Sequence, residues 1–221
     1  MRGTKRLFDL CWTIPGLLVL WPAFLVIAVL IKLDDGGAVF FRQLRVGRYG
    51  RAFRVWKFRT MIARAEQCGG PLTVGDDPRI TRVGRWLRHF KLDELPQLLN
   101  VLAGQMSLVG PRPEVSHYVA LYTPDQRRVL DLVPGITDPA SIAYRDESAL
   151  LAQAPDWERQ YVEVIMPEKI RLNLAYAARA TQLKDFLVVV VTLLSLVSRA
   201  ETTGPQAAPA AASTQRSAAQ L

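Results

Sequence analysis

The strongest pattern along the chain is an apolar run from Leu7 to Ile31, with Asp9 and Thr13 near its start and Pro15, Gly16 and Pro22 inside it. At roughly 25 residues it reaches the length that spans the hydrocarbon core of a bilayer. No small-residue cleavage motif follows, and the next residues include Lys32, Asp34 and Asp35, which argues against a removed signal peptide. Arg2, Lys5 and Arg6 precede the run, and Arg42, Arg45, Arg48, Arg51, Arg54, Lys57 and Arg59 follow it. Both flanks therefore carry the charge that the positive-inside rule keeps cytoplasmic. A helix bent near Pro22 that dips into the membrane and returns satisfies both flanks. A straight single-pass helix is the alternative, because membrane helices tolerate proline.

After Gly36-Gly37 the period changes to two. Ala38 to Phe41, a Gly47-Arg48-Tyr49-Gly50 turn and Phe53 to Arg59 predict a β-hairpin rich in aromatics and arginine, with Lys57 and Arg59 on one face. From Arg82 to Leu102 the pattern is helical, interrupted at Pro96. Two Gly- and Pro-rich segments, Val109-Gly110-Pro111-Arg112-Pro113 and Val133-Pro134-Gly135-Ile136-Thr137, read as loops that wall a site. Pro167 to Arg199 predicts a long helical stretch with mixed faces, suited to a membrane surface or to packing on the domain. These elements predict an α/β fold with an irregular, mainly helical core, a small β-hairpin, an N-terminal re-entrant membrane helix and interfacial amphipathic helices.

Composition adds a constraint on partners. The 221 residues carry 28 Lys and Arg against 20 Asp and Glu, a net charge of +8 that calls for something anionic, whether nucleic acid, phospholipid or a phosphorylated substrate. The two cysteines, Cys11 and Cys68, lack the spacing of a metal site or a disulfide framework, and His89 and His117 are too few for a histidine-based metal centre.

The densest chemistry lies between Asp76 and Gln97, where basic residues recur at positions 79, 82, 85, 88 and 91 and are followed by Asp93-Glu94. Neighbours on a helix point about 100° apart, so this pair cannot converge on one small atom, but it can flank a phosphate and its metal. One carboxylate can attack phosphorus and form an acyl phosphate, while the other holds Mg²⁺, which prefers oxygen ligands and borrows several from substrate phosphates and water. The surrounding cations would keep Asp93 ionised and neutralise a diphosphate. A membrane-anchored lipid-binding protein would leave Asp93-Glu94 unexplained, and a nucleic-acid-binding protein has little use for a bilayer-length apolar run.

The strings Phe40-Phe41-Arg42-Gln43, Lys57-Phe58-Arg59-Thr60-Met61, Asp77-Pro78-Arg79-Ile80-Thr81, Leu92-Asp93-Glu94-Leu95-Pro96-Gln97, Met106 to Pro113 and Pro134-Gly135-Ile136-Thr137 resemble, in order, the bacterial sugar transferase family, the monotopic polyprenyl-phosphate phosphoglycosyl transferases. The resemblance covers residues 4 to 195. It implies a ping-pong transfer of a sugar 1-phosphate from a UDP-sugar to polyprenyl (undecaprenyl) phosphate with release of UMP, the first membrane step of glycan assembly. It also implies a bacterial inner-membrane protein with its site on the cytoplasmic face, in contact with membrane phospholipid and with no nucleic acid partner. By this resemblance Asp93 is the nucleophile and Glu94 the Mg²⁺ ligand. Lys57, Arg59, Arg88, Arg112 and Arg145 are substrate-binding. The implied organisation is a re-entrant segment at 1–35, a catalytic domain at 36–200 and a disordered tail at 201–221; a homodimer is compatible with it. Two departures stand out. Many members continue Pro-Gly-Ile-Thr with Gly-Trp-Ala-Gln, whereas this chain has Asp138-Pro139-Ala140-Ser141, and Trp21 stands where a serine often precedes the helix-breaking proline.

Overall fold

The computed structural model describes residues 3–63, 65 and 77–202, and the side chains of these up to residue 195. Cys68, Asp76 and the segment 203–221, read from sequence as part of a disordered tail, lie outside the described residues. The apolar run forms one helix of 33 residues, α1 (Gly3–Asp35), which continues through Pro15 and Pro22. It is long and apolar enough to cross a membrane. Its middle is bare: Leu18, Val19 and Trp21 are all exposed.

Its two ends are not bare. At the start, Lys5 pairs with Asp185 at 2.6 Å and Arg6 donates to the carbonyls of Val101 and Leu102. One turn on, the buried Asp9 accepts from the Ser107 hydroxyl at 2.9 Å and the Leu108 N–H at 3.0 Å. At the far end Asp34 accepts from the Val83 N–H at 3.1 Å, and Arg59 forks onto Asp35. A buried charge is tolerated when it is paired and hydrogen-bonded, and here Lys5, Arg6, Asp9, Asp34 and Asp35 all find partners on the domain. Both ends of α1 therefore rest on one folded body.

The expected hairpin forms from β1 (Phe40–Val46) and β2 (Ala52–Phe58), antiparallel, with Phe41 opposite Lys57 and Arg45 opposite Phe53. A short 3-10 turn, Arg48–Gly50, joins them, with Tyr49 and Gly50 at positive φ. Period two gives the hairpin two unlike faces. One presents Phe41, Gln43 and Arg45 beside Phe53, Val55 and Lys57. The other displays Arg42 stacked over Trp56, in line with Phe40 and Phe58.

The helical stretch expected over 82–102 is divided before Pro96 is reached. α2 (Arg82–His89) ends at Phe90, a single 3-10 turn spans Leu92–Glu94, and α3 (Gln97–Leu102) follows. The break is set at Lys91, whose φ of 56° is left-handed and cannot continue a helix. The two Gly- and Pro-rich segments contain more order than loops. β3 (Ser107–Val109) pairs in parallel with β4 (Gly135–Thr137), a second sheet that no sequence pattern marked. Gly110 and Gly135 pass backbone to backbone here, and a Cβ on Gly135 would lie 2.1 Å from the Gly110 nitrogen, so only glycine fits.

The rest of the domain is helical: α4 (Ser116–Ala120), α5 (Pro139–Ala143), α6 (Glu147–Ala152), α7 (Trp157–Gln160), a π-helical turn at Tyr161–Ile165, α8 (Met166–Ala178) and α9 (Gln182–Thr202). The single stretch expected over 167–199 is thus two helices, separated at 179–181, and the second extends past the expected boundary at 200. Thr181 restarts the chain by accepting from the Lys184 N–H, while the Lys184 ammonium covers the Arg179 carbonyl at 2.8 Å. One apolar core gathers Tyr118, Val129, Leu151, Tyr161 and Ile165. A second joins Val55, Val101 and Met106 to Phe8 of α1 and Val188 of α9, and a third seats Ile27 and Ile31 of α1 on Phe58 and Leu87. The hairpin's inner face and the Leu92–Glu94 turn are held between these cores.

Candidate active site

Asp93 and Glu94 occupy the one-turn 3-10 segment, not a regular helix, and Asp93 is buried. Lys57, near the end of β2, reaches Glu94 Oε1 at 2.9 Å. Arg112, in the segment after β3, forks onto both oxygens of Glu94, one at 2.7 Å. Arg88 stands on α2, its Nε donating to the Thr60 hydroxyl at 2.8 Å. Close approach makes this bond feasible: Gly84 packs so tightly on Thr60 that a Cβ would sit 2.1 Å from the Thr60 carbonyl oxygen. Lys57, Arg88, Arg112, Asp93 and Glu94 are therefore brought together from four separate stretches of chain.

Arg59 and Arg145 are placed elsewhere. β2 ends at Phe58, and the Arg59 side chain turns to the end of α1, bonding Asp35 and the Ala38 carbonyl at 2.6 Å. The two-residue period that linked it to Lys57 stops with the strand, and Asp35 captures its charge. Arg145 is exposed, with Asp146 at 3.4 Å as its ion-pair partner, and none of its described contacts reaches Asp93 or Glu94.

The two adjacent carboxyls are driven apart electrostatically. Burial, then the charge of Glu94, pushes Asp93 up to about 6, against the pull of Lys57, Arg88 and Lys91. Glu94 is also desolvated by burial, yet Arg112 and Lys57 hold it well below the usual carboxylate range. Burial lowers the Lys57 ammonium, opposed by Glu94, whereas Glu94 raises Arg112. Two titratable neighbours separated in this way suit two tasks: Glu94 is a fixed anion and Asp93 a carboxylate that ionises near neutrality. Among the described residues no hydrogen bond to the Asp93 side chain matches the fork on Glu94.

Among the described residues no group of three or more His, Cys, Asp or Glu side chains is placed to hold a metal. The donor set nevertheless fits Mg²⁺, which is commonly bound by one or two carboxylates and takes its other ligands from phosphates and water. Glu94 would hold it.

Several residues of this region carried no sequence signal as site residues. The half-buried Arg45 and Glu114 and the buried Tyr161 form a polar set next to Arg112, and Asn100 ties α3 to the hairpin through the Trp56 N–H at 2.9 Å and the Arg54 carbonyl at 2.8 Å. Arg45 was detectable in principle, because it alternates with Phe41 and Gln43 on the strand face that also bears Lys57.

Comparison with known proteins bears on this geometry. Residues 1–199 match the family model described as bacterial sugar transferase. The chain is 42% identical to the uncharacterized sugar transferase EpsL of Bacillus subtilis, over 71% of this chain and 73% of that protein. It is 37% identical to the exopolysaccharide production protein ExoY of Rhizobium meliloti, over 72% of this chain and 76% of that one. A UDP-N-acetylgalactosamine-undecaprenyl-phosphate N-acetylgalactosaminephosphotransferase of Aeromonas hydrophila is 46% identical over 52% of this chain and 27% of its own length.

Proposed function

Because the chain belongs to the bacterial sugar transferase family, we propose that it moves a sugar 1-phosphate from a UDP-sugar to polyprenyl phosphate in two displacements at Asp93. A carboxylate oxygen of Asp93 attacks the β-phosphorus, the bond from that phosphorus to the bridging oxygen breaks, and UMP leaves with the electron pair. An oxygen of the polyprenyl phosphate then attacks the phosphosugar-aspartyl group, restoring the carboxylate and giving a polyprenyl-diphospho-sugar. Splitting the transfer in this way replaces one difficult encounter with two easier ones. The assignment of the acceptor draws on relatives whose names specify undecaprenyl phosphate, and the place in exopolysaccharide production on relatives named for it.

The observation that carries this reading is a buried carboxylate without a fork, Asp93, next to one that is tied down, Glu94. Lys57, Arg88 and Arg112 are preorganised to meet the charge that shifts toward the departing UMP, which is worth most in a site that excludes water. Mg²⁺ bound at Glu94 would neutralise the diphosphate.

The membrane element follows the same logic. Both ends of α1 are fastened to one domain and its middle is apolar and exposed, which supports a middle that enters the bilayer with both ends kept on the cytoplasmic face of the inner membrane. α9 contributes its exposed Leu183, Leu187, Val191 and Leu194 to the same surface, with Phe186 against Trp12 at 5.5 Å.

The test is a panel of UDP-sugars with Mg²⁺ and undecaprenyl phosphate in lipid nanodiscs, reading UMP release and the mass of the Asp93 peptide. A phosphosugar adduct on that peptide, lost in Asp93→Asn, is expected; absence of UMP release from every donor overturns the assignment. For the membrane, Thr4→Cys and Gly36→Cys in a background lacking Cys11 and Cys68 should label from the same side, and labelling from opposite sides would establish a single-pass helix.

A further inference from the structure

Behind Arg112 lies a polar set that the transfer does not use directly. Arg45 on β1 spreads its guanidinium over three acceptors: the Pro113 carbonyl and Glu114 Oε1, each at 3.2 Å, and Gln43 Oε1 at 2.8 Å. Glu114 Oε1 also takes the Val115 N–H at 2.8 Å, and its other oxygen accepts from the Tyr161 hydroxyl. The Glu114 carbonyl accepts from the Val46 N–H at 2.8 Å, which stitches the segment to the end of β1. Both charged partners are largely withdrawn from water, with side-chain exposures of 16% and 15%. Tyr161 opens the π-helical turn, packs its ring on Tyr118 at 4.8 Å and lies under the Lys169 ammonium, which itself pairs with Glu147 at 2.6 Å.

We propose that Glu114 is a positioning residue for Arg112. Its carboxylate has two effects. It fixes the backbone on the C-terminal side of Arg112 by holding Arg45, which clasps Pro113. It also balances Arg45, a cation close enough to Arg112 and Glu94 to influence both. Without that balance the charge of Arg45 acts uncompensated on Arg112 and Glu94, and the fork that holds Arg112 in place is loosened. The planar guanidinium suits this task because it reaches its three acceptors from two separate nitrogens, Nη1 to Pro113 and Glu114 and Nη2 to Gln43, whereas an ammonium would have to reach all three from one point. Tyr161 completes the support from the opposite side, and a charge-assisted O–H···O⁻ bond of this kind is among the stronger side-chain contacts. A single π turn inside a helical run places the tyrosine there, and such turns occur frequently at functional sites.

This inference rests on the transfer reading above, and a double-mutant cycle separates the two. Glu114→Gln, Arg112→Gln and the double variant are compared in UMP release and in the affinity for UDP with Mg²⁺, alongside melting temperature. Glu114→Gln is expected to lower UMP release about tenfold with the folded fraction unchanged, and the double variant to be no slower than Arg112→Gln, because the two residues act as one unit. Tyr161→Phe should lower it in the same direction by a smaller factor, and Arg45→Lys should not behave as wild type. Release within twofold of wild type in Glu114→Gln overturns the proposal, as do independent losses that multiply in the double variant. If the wild-type protein releases no UMP, the transfer reading is what fails, and the cycle is decided by UDP affinity, where equal affinity in Glu114→Gln and wild type overturns the positioning role.

Discussion

Around Asp93, ionisable side chains from β2, α2 and the segment after β3 are crowded out of water, whereas α1 keeps its charges at its two ends and exposes an apolar middle. In the first region the charges face one another: burial and then the charge of Glu94 drive Asp93 up, while Arg112 and Lys57 hold Glu94 down against its own burial. In the second most of them face the domain, where they reinforce the apolar packing of Phe8, Ile27 and Ile31 that also holds the helix. Burial of charge thus tunes chemistry in one place and secures an attachment in the other, so substitutions in the two places should have different signatures.

The largest contrast comes from the proposed nucleophile. Asp93→Asn should reduce UMP release on the order of 10³-fold or more, because an amide cannot replace the attacking carboxylate. Lys57→Met removes one of the cations on Glu94 and should cost roughly 10²-fold in turnover with little change in melting temperature. Acidity comes next. In the proposed transfer Asp93 reacts as the carboxylate, and its raised value near 6 predicts that turnover holds above that pH and falls about tenfold per unit below it, an acid limb that a pH–rate profile locates. At α1 the signature changes from rate to stability. Asp9→Ala strands the Ser107 hydroxyl and the Leu108 N–H and should cost about 1–3 kcal/mol in denaturant unfolding, while turnover per folded molecule is preserved. The smallest effect is expected at the exposed Arg145–Asp146 pair, where Asp146→Asn should change stability by less than about 1 kcal/mol.

Much of this was legible in the residues. The apolar run, the aromatic and basic hairpin and the Asp93-Glu94 pair all declared themselves through period and composition, and the structure brings Lys57, Arg88 and Arg112 to that pair. What escaped depended on backbone details that periodicity does not encode. The left-handed Lys91 turns an expected helix into a single 3-10 turn, and nothing in a lysine announces that conformation. The pairing of β3 with β4 joins segments 25 to 30 residues apart through three-residue strands, too short to show an alternation. Arg59 was grouped with Lys57 by strand period, but the strand ends one residue too soon and Asp35 takes the guanidinium. Glu114 and Tyr161 are 47 positions apart, a contact that only the folded chain reveals.

The glycine crossing at Gly110 and Gly135 has a consequence for anyone wishing to retune this protein. Because the two backbones touch, the Pro111–Pro113 segment and the Asp138–Ser141 segment leave neighbouring, parallel strands as a matched pair. A graft that imports one from a relative without the other would force mismatched loops through a single narrow gap, so donor preference should transplant only when both travel together.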